Sequence, residues 1–319
     1  MAETILITWT SGFIWFHLSK KLLEEWRNVI WFDNENSYYD VNLKISRRNI
    51  LEKYDNFKFY KWSLENLEDL KKIFEENKID KVCNLAAQAG VLYSIKDPFS
   101  YIQTNIVGFH NILELSKNYK VKNFVYASTA SVYGGNTPPF SVEDKTDKPL
   151  SLYWATKKTD ELIAHSYSHI FDFPTTWLRF FNVLWPAGRP DWALYIFVDN
   201  IANWKPIKLF NHGNMKRNFT HVYDIIEWIV KALDKISKYE IYNLGNPNIV
   251  ELNYFVDRIE KELWKTSEKE LIPMQLWEIV ESQVNIDHTI EWLWWKPKLD
   301  VDVMIKDFVN WYKEFKNIN

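Results

Sequence analysis

The sequence predicts an α/β chain, a doubly wound parallel sheet followed by a smaller α/β domain. Three observations carry the prediction. Strand-length apolar runs alternate with helical periodicity through the first half, the rhythm of successive βαβ units. After about Asn182 that rhythm gives way to shorter elements rich in proline, asparagine and aromatics. The length of 319 residues, with no internal repeat or flexible linker, suits one large unit or two domains sharing a cleft.

In chain order, Ile5–Thr8 is an apolar strand leading into a helical stretch that runs through Leu22 and Leu23. Asn28–Phe32 is a second buried strand, closed by Asp33, and Phe57–Tyr60 a third. Leu64, Leu67, Leu70, Ile73 and Phe74 mark one face of a helix. Lys81–Leu85 is the next strand. Phe99, Ile102, Ile106, Phe109 and Leu113 again have helical spacing. Val121–Ala127 follows as a strand, then a helix from about Tyr153 to Phe171. In such a sheet, ligands gather at the carboxyl ends of the strands.

Bulk properties narrow the partners. A net charge of −3 without a long charge run predicts neither nucleic acid nor a membrane surface as a partner. Cys83 is the only cysteine, which excludes disulfides within the chain and argues against a zinc–thiolate centre. The histidines lack metal-ligand spacing, so no metal is expected. No stretch approaches the length of a membrane span, and the N-terminus lacks a basic segment followed by an apolar one. A cytoplasmic protein is expected.

The tryptophans are anomalous. Ile7-Thr8-Trp9-Thr10-Ser11-Gly12-Phe13-Ile14-Trp15 joins a strand to a helix with G-x-x-G-x-x-G spacing, but only Gly12 is glycine. The first glycine of such a turn permits the tight bend and the last permits close helix–strand packing, so an indole at either place opposes both. Glycine is scarce, at 8 of 319 residues; with the 17 tryptophans the total is 25, about 8%, an ordinary glycine content. The expectation is that most tryptophans stand for glycines encoded by UGA, a codon with different meanings in different genetic codes. The alternative is a Trp-rich or decayed protein. UGG codons at Trp9 and Trp15 exclude the first reading.

Several residues carry chemistry. Asp33, at the end of the second strand, can accept both ribose hydroxyls of an adenosine, which favours NAD over NADP. Tyr153 and Lys157 are four apart and share a helix face; the ammonium favours the phenolate, making the tyrosine a usable base. Upstream lies Tyr126-Ala127-Ser128-Thr129-Ala130-Ser131-Val132-Tyr133-Gly134, a hydroxyl cluster directly after a buried strand. Thr129 can hydrogen-bond the oxygen whose proton Tyr153 removes.

With these segments the chain resembles the extended short-chain dehydrogenase/reductases, and among them the UDP-glucuronate 4-epimerases, over almost its whole length. Further support comes from Leu85-Ala86-Ala87-Gln88-Ala89-Gly90-Val91, Ser151-Leu152-Tyr153 through Lys157-Lys158, Leu178-Arg179-Phe180-Phe181, Gly188-Arg189-Pro190-Asp191 and Met215-Lys216-Arg217. The resemblance implies a Rossmann-type NAD-binding domain over 1–181 and a substrate-binding domain over 182–319, with later segments able to return to the first. It implies NAD as cofactor, a UDP-sugar as substrate and a homodimer formed through the helices around 98–118 and 153–172. In the implied 4-epimerisation, Tyr153 takes the O4 proton, Lys157 tunes it and Thr129 orients O4. The hydride leaves C4 for NAD and returns to the other face of a 4-keto sugar. Trp9, Gly12, Phe13, Ile14, Asp33, Asn34, Leu85, Ala86, Ala87, Asn105 and Ser128 are implied around the cofactor, together with Tyr153 and Lys157. Ser131, Asn182, Arg189 and Arg217 are implied on the substrate side, arginine being suited to a diphosphate by its planar fork. The family pattern also places glycine at Trp26, Trp31, Trp177, Trp185, Trp204, Trp228, Trp264, Trp277 and Trp294, but not at Trp295 or Trp311. Trp62, Trp154, Trp192 and Trp292 stay unassigned.

Departures bear on the sugar. The glucuronate enzymes carry serine at Ala130, threonine at Asn182 and arginine at Leu92, and an aspartate is frequent at Ser63. UDP-glucose or UDP-N-acetylhexosamine therefore stays open as the substrate. Related dehydratases and decarboxylases place acids at Ala130 or Ser131; neither acid is present, which disfavours both. If the tryptophans are literal, a non-catalytic relative becomes the leading reading.

Overall fold

The apolar runs of the first half form strands because both faces of the sheet are covered. The structure is a computed structural model and describes residues 2–8, 12–35, 40–184, 192–274 and 280–318, except for the Phe13 side chain. Strands β1 (Thr4–Thr8), β2 (Asn28–Phe32), β3 (Phe57–Tyr60), β4 (Lys81–Asn84), β5 (Asn123–Thr129) and β6 (Thr175–Phe180) lie in the order β6-β5-β4-β1-β2-β3. All of these neighbours pair in parallel. Ile5, Leu6, Ile7 and Thr8 of β1 are completely buried.

Helices connect them: α1 (Phe13–Glu24), α2 (Val41–Leu51) and α3 (Leu67–Glu76) follow the first three strands. After β4 come α4 (Val91–Lys96), α5 (Pro98–Tyr101), a π-helical turn (Ile102–Gly108) and α6 (Phe109–Asn118). A 3-10 turn (Ala130–Tyr133) and α7 (Leu152–Phe171) follow β5. Leu70, Ile73 and Phe74 of α3 and Phe109, Ile112 and Leu113 of α6 pack into one core with Leu6, Val82 and Phe124.

Two expectations shift. The helical spacing from Phe99 to Leu113 does not form one buried face, because the π-helical turn changes the register. Phe109 and Leu113 are buried, whereas Phe99 is 80% exposed. That turn ends at Gly108, where a Cβ would lie 2.7 Å from the Leu64 Cβ. The strand expected at Val121–Ala127 begins two residues later, because Lys120 (φ 56°) and Val121 close α6 by hydrogen-bonding back to Lys117 and Ser116. Ser128 and Thr129 thereby become the end of β5.

The chain divides into two units. One comprises residues 1–134, 144–180 and 226–242; the other comprises 135–143, 181–225 and 243–319. Beyond β6 come β7 (Asn182–Leu184), α8 (Ala193–Ala202), β8 (Ile207–Leu209) and β9 (Lys216–His221). The chain returns through α9 (Val222–Asp234) to β10 (Tyr239–Leu244), which joins the large sheet beside β6 as its seventh strand. The second unit closes with β11 (Ile249–Glu251), α10 (Leu252–Leu263), β12 (Lys269–Leu271), α11 (Asp287–Leu293) and α12 (Val301–Lys316). Its short strands form the small sheets β11-β9-β7 and β12-β8, and α8, α10 and α12 share a core around Val198, Val256 and Met304. Among the described residues no helix is long and apolar enough to cross a membrane.

Candidate active site at the carboxyl ends of the central strands

The strand order reverses between β1 and β4, which opens a crevice at their carboxyl ends. Thr8 fixes its floor. The buried hydroxyl donates to Asn84 Oδ1 (2.7 Å) and accepts from the N–H groups of Leu85 and Ala86 (3.0 Å each). Leu85, Ala86 and Ala87 are buried there. Gly12, in extended conformation (φ −73°, ψ 169°), caps α1 with its carbonyl accepting from Phe16, and Ile14 lies in the first turn. Trp15 is half-buried with its ring edge-on to Phe180 at 6.3 Å. Trp9 and the Phe13 side chain lie outside the described residues.

At the end of β2, Phe32, Asp33 and Asn34 line an open cleft of about 320 Å³ with Trp62, Ser63, Leu64, Glu65, Ala86, Gln88 and Thr104. The Asp33 carboxylate is buried and accepts from the Glu35 N–H at 2.5 Å, which turns the chain after the strand. A carboxylate beside a cleft next to the strand-order reversal is the arrangement that holds an adenosine ribose.

Thr129 ends β5, and its hydroxyl accepts from the Ser131 N–H (3.2 Å), capping the 3-10 turn. Helix α7 packs against both β5 and that turn. Ser151 caps α7 by accepting from the Trp154 N–H at 3.3 Å, which places Tyr153 in the first turn and Lys157 one turn on. The Tyr153 ring meets the Tyr101 ring edge-on at 6.0 Å, and Tyr101 is anchored by its hydroxyl to the Gly90 carbonyl. Lys157 is buried with its ammonium 2.7 Å from Asp160 Oδ2. Burial holds the Asp160 carboxyl up at about 7 even against the opposing pull of the Lys157 ammonium.

Behind these groups lies a buried ionic network. Ser128 Oγ donates to Glu161 Oε1 (2.6 Å), and Arg179 grips Glu161 with Nε and Nη2 at 3.1 and 3.0 Å. A third Arg179 nitrogen donates to the Tyr133 hydroxyl at 3.0 Å. Burial opposes the Arg179 charge, but Glu161 outweighs it and raises the guanidinium above its usual value. Asn105, in the π-helical turn, bonds both the N–H and carbonyl of Gln88 (2.6 and 3.1 Å) and the Thr156 hydroxyl (2.9 Å). Thr156 in turn donates to the Tyr153 carbonyl at 2.8 Å. Asn105 thus ties the loop after β4 to the start of α7.

The NAD dependent epimerase/dehydratase family matches residues 5–245. The chain belongs to this family. It is 45% identical to "Protein CapI" of Staphylococcus aureus, with 98% of each chain covered. It is 39% identical to the UDP-glucuronate 4-epimerase of Thermodesulfobacterium geofontis, covering 97% of this chain and 96% of that one. The crystal structure of the Bacillus cereus UDP-glucuronic acid 4-epimerase in complex with UDP-glucuronic acid and NAD superposes with a TM-score of 0.92. The two are 29% identical, and 98% of this chain and 99% of that chain are covered.

For a member of this epimerase/dehydratase family, the first unit brings together Thr129, Ser128, Tyr153, Lys157 and Asn105, with Ser131 half-buried in the adjoining turn. Asn182 and Arg217 belong to the second unit. Asn182 starts β7 and donates to the Asn218 carbonyl (3.1 Å). Arg217, in β9, donates to the carbonyls of Lys216 and Val280 (2.9 and 3.0 Å). Arg189 lies outside the described residues. Sequence reasoning missed Thr8, Thr156, Glu161 and Arg179 as supports of the site. Glu161 is four residues beyond Lys157, so the spacing that linked Tyr153 to Lys157 could have found it.

Proposed function

We propose that the chain is an NAD-dependent 4-epimerase of a UDP-hexose, with UDP-glucuronate as the substrate. The observation that supports the reading is the Tyr153/Lys157 pair one turn apart on α7, a helix that packs against β5, the strand that Thr129 ends. Tyr153 removes the proton from the sugar O4 as the C4–H bond breaks and returns it when that bond re-forms on the opposite face. The Lys157 ammonium stabilises the phenolate, and Thr129 orients O4 through its hydroxyl. Gly12 and Ile14 at the start of α1, Asp33 and Asn34 beside the cleft, and Leu85–Ala87 would hold the cofactor; the carboxylate and the small buried alanines fit it. When bound, NAD supplies the reversible hydride acceptor. Ser131, Asn182, Arg189 and Arg217 are the proposed substrate-binding residues.

Both the chain as it stands and its Trp9→Gly/Trp15→Gly variant should be offered UDP-glucuronate, UDP-glucose and UDP-N-acetylglucosamine. Expected is the C4 epimer of UDP-glucuronate without net NADH release, and a loss of about 10²–10⁴-fold on Tyr153→Phe with NAD binding retained. No turnover of any of the three by either chain overturns the reading. Turnover by the glycine variant alone identifies the two indoles as the obstacle.

We further propose a cytoplasmic homodimer. Phe99, Leu162 and Ile170 expose large apolar side chains on the helices expected to pair, and the single, buried cysteine suits a reducing compartment. Light scattering on Phe99→Asp should report a shift towards monomer; an unchanged mass removes this surface from the assembly.

A further inference from the structure

Four tryptophans sit where the backbone asks for glycine. Trp26, Trp204, Trp264 and Trp294 have φ of 61°, 59°, 54° and 52°, in the left-handed region that L side chains rarely adopt. Each follows or ends a helix, and the first three close complete Schellman motifs. Trp26 N–H bonds Leu23 O while Arg27 N–H bonds Leu22 O. Trp204 and Lys205 reach Ile201 and Asn200, and Trp264 and Lys265 reach Lys261 and Glu260 in the same way. Trp294 bonds Ile290 O in the simpler left-handed cap. Glycine is the usual residue at this position because it has no Cβ to clash.

The indoles gain little for the strain. They are 84%, 73%, 89% and 83% exposed, and Trp204 has the Lys265 ammonium over its ring. A large apolar side chain that is both strained and solvated has no physical reason to be selected. Among the described residues, ten non-glycine residues have positive φ; four are Asn, Asp or His, which tolerate it, and four of the other six are tryptophan. Two buried indoles point the same way: the Nε1 groups of Trp154 and Trp177 find no hydrogen-bond partner, although a buried indole N–H normally has one. Trp295 and Trp311 differ. Trp295 donates to Asp224 with Lys298 over its ring, and Trp311 stacks on Phe315 and packs against Phe308 and Tyr195.

We propose that the protein made in its own cell carries glycine in place of Trp26, Trp204, Trp264 and Trp294, through UGA codons read as glycine. The same holds for Trp154, which the sequence left unassigned, and Trp177, whereas Trp295 and Trp311 are true tryptophans. The inference rests on backbone geometry and packing rather than on the epimerase reading, so the two fail separately. Trp9 and Trp15, at the turn expected to meet the pyrophosphate, follow by the same code.

The test is the coding DNA together with peptide masses of the protein purified from its native cells. Expected are UGA codons and glycine-containing peptides at the six positions, with UGG and tryptophan at Trp295 and Trp311. UGG at the six, or native peptides retaining tryptophan there, overturns the proposal. A stability measurement gives an independent readout. Leaving the left-handed region is equivalent to roughly a five- to thirty-fold factor in the folding equilibrium, partly offset by the freedom of glycine in the unfolded chain. Trp26→Gly, Trp204→Gly, Trp264→Gly and Trp294→Gly should each raise the folded fraction severalfold at fixed denaturant, while Trp311→Gly lowers it. Losses at all four helix ends equal to that of Trp311→Gly overturn the structural argument.

Discussion

Glu161 is the most stringent test of how the first unit holds its catalytic groups. Its side chain is fully buried and receives Ser128 Oγ, Arg179 Nε and Nη2, and the Lys158 ammonium at 3.3 Å. Glu161→Gln preserves the shape but turns one oxygen into an NH2. Either orientation of that amide sets its hydrogens against a cationic donor and leaves the buried Arg179 charge without its counter-charge. Breaking a buried pair from one side costs about 3–5 kcal/mol. Against a native stability of about 5–15 kcal/mol, that is a large share. Thermal unfolding should fall by roughly 5–8 °C, whereas Glu76→Gln, in an exposed pair with Lys58, should leave the midpoint unmoved. A second readout separates scaffold from positioning. Glu161→Met/Arg179→Met removes both charges and should recover much of the stability, since apolar replacement of a buried pair is often neutral. It cannot restore the Ser128 anchor next to Thr129, so kcat should stay roughly 10–100-fold down. A Glu161→Gln midpoint within 1–2 °C of the parent refutes the buried-pair reasoning, and full recovery of kcat in the double variant refutes the anchoring.

Three further outcomes are expected. Thr8→Val keeps the β-branched shape but strands the N–H groups of Leu85 and Ala86, so it should cost at least about 2 kcal/mol in denaturant unfolding; Thr8→Ser, which retains the hydroxyl, should cost less than half of that. Burial holds the His221 imidazole down at about 4, and its Nδ1 accepts from the Tyr223 N–H, as the neutral ring requires. Because the unfolded chain binds the proton first, stability should be complete above pH 6.5 and fall by about 1.4 kcal/mol per unit towards pH 4, a slope that His221→Asn should flatten in acid-denaturation scans. Asp33→Ser should narrow the preference for NAD over NADP at least about tenfold by titration, since the carboxylate that repels a 2′-phosphate is gone; an unchanged ratio removes Asp33 from the ribose.

How much of this was legible depended on whether the signal was local. Strands such as Ile5–Thr8 were readable because complete burial leaves an uninterrupted apolar run. Tyr153 and Lys157 were readable because one helical turn separates them. The interruption between α5 and α6 was not, since the π-helical turn answers to Asn105 bonding Gln88, a residue from another loop. Thr8 resembled any β-branched residue in a buried strand; its role arises only when β4 lies alongside. The second unit was the least readable, because β7, β8, β11 and β12 have three residues each, too few for an alternation pattern to register.

The same distinction separates chemistry from selectivity. The proposed proton-transfer groups and their supports, Thr129, Tyr153, Lys157, Ser128, Glu161, Arg179 and Asn105, all belong to the first unit, where Ser128, Glu161 and Arg179 form one buried hydrogen-bonded group and Asn105 reaches α7 through Thr156. Such a framework is costly to alter one residue at a time, because each change strands a buried partner. Residues with looser constraints can vary instead: Leu92 is exposed, and Ala130 is half-buried with no polar side-chain atom to satisfy. Two of the four departures from the glucuronate pattern, Leu92 and Ala130, fall at such positions, whereas Asn182 and Ser63 donate hydrogen bonds to the Asn218 carbonyl and the Glu65 carboxylate. Leu92 and Ala130 can therefore change the sugar preference without disturbing the proton transfer, so the reaction type is better determined by this sequence than the substrate.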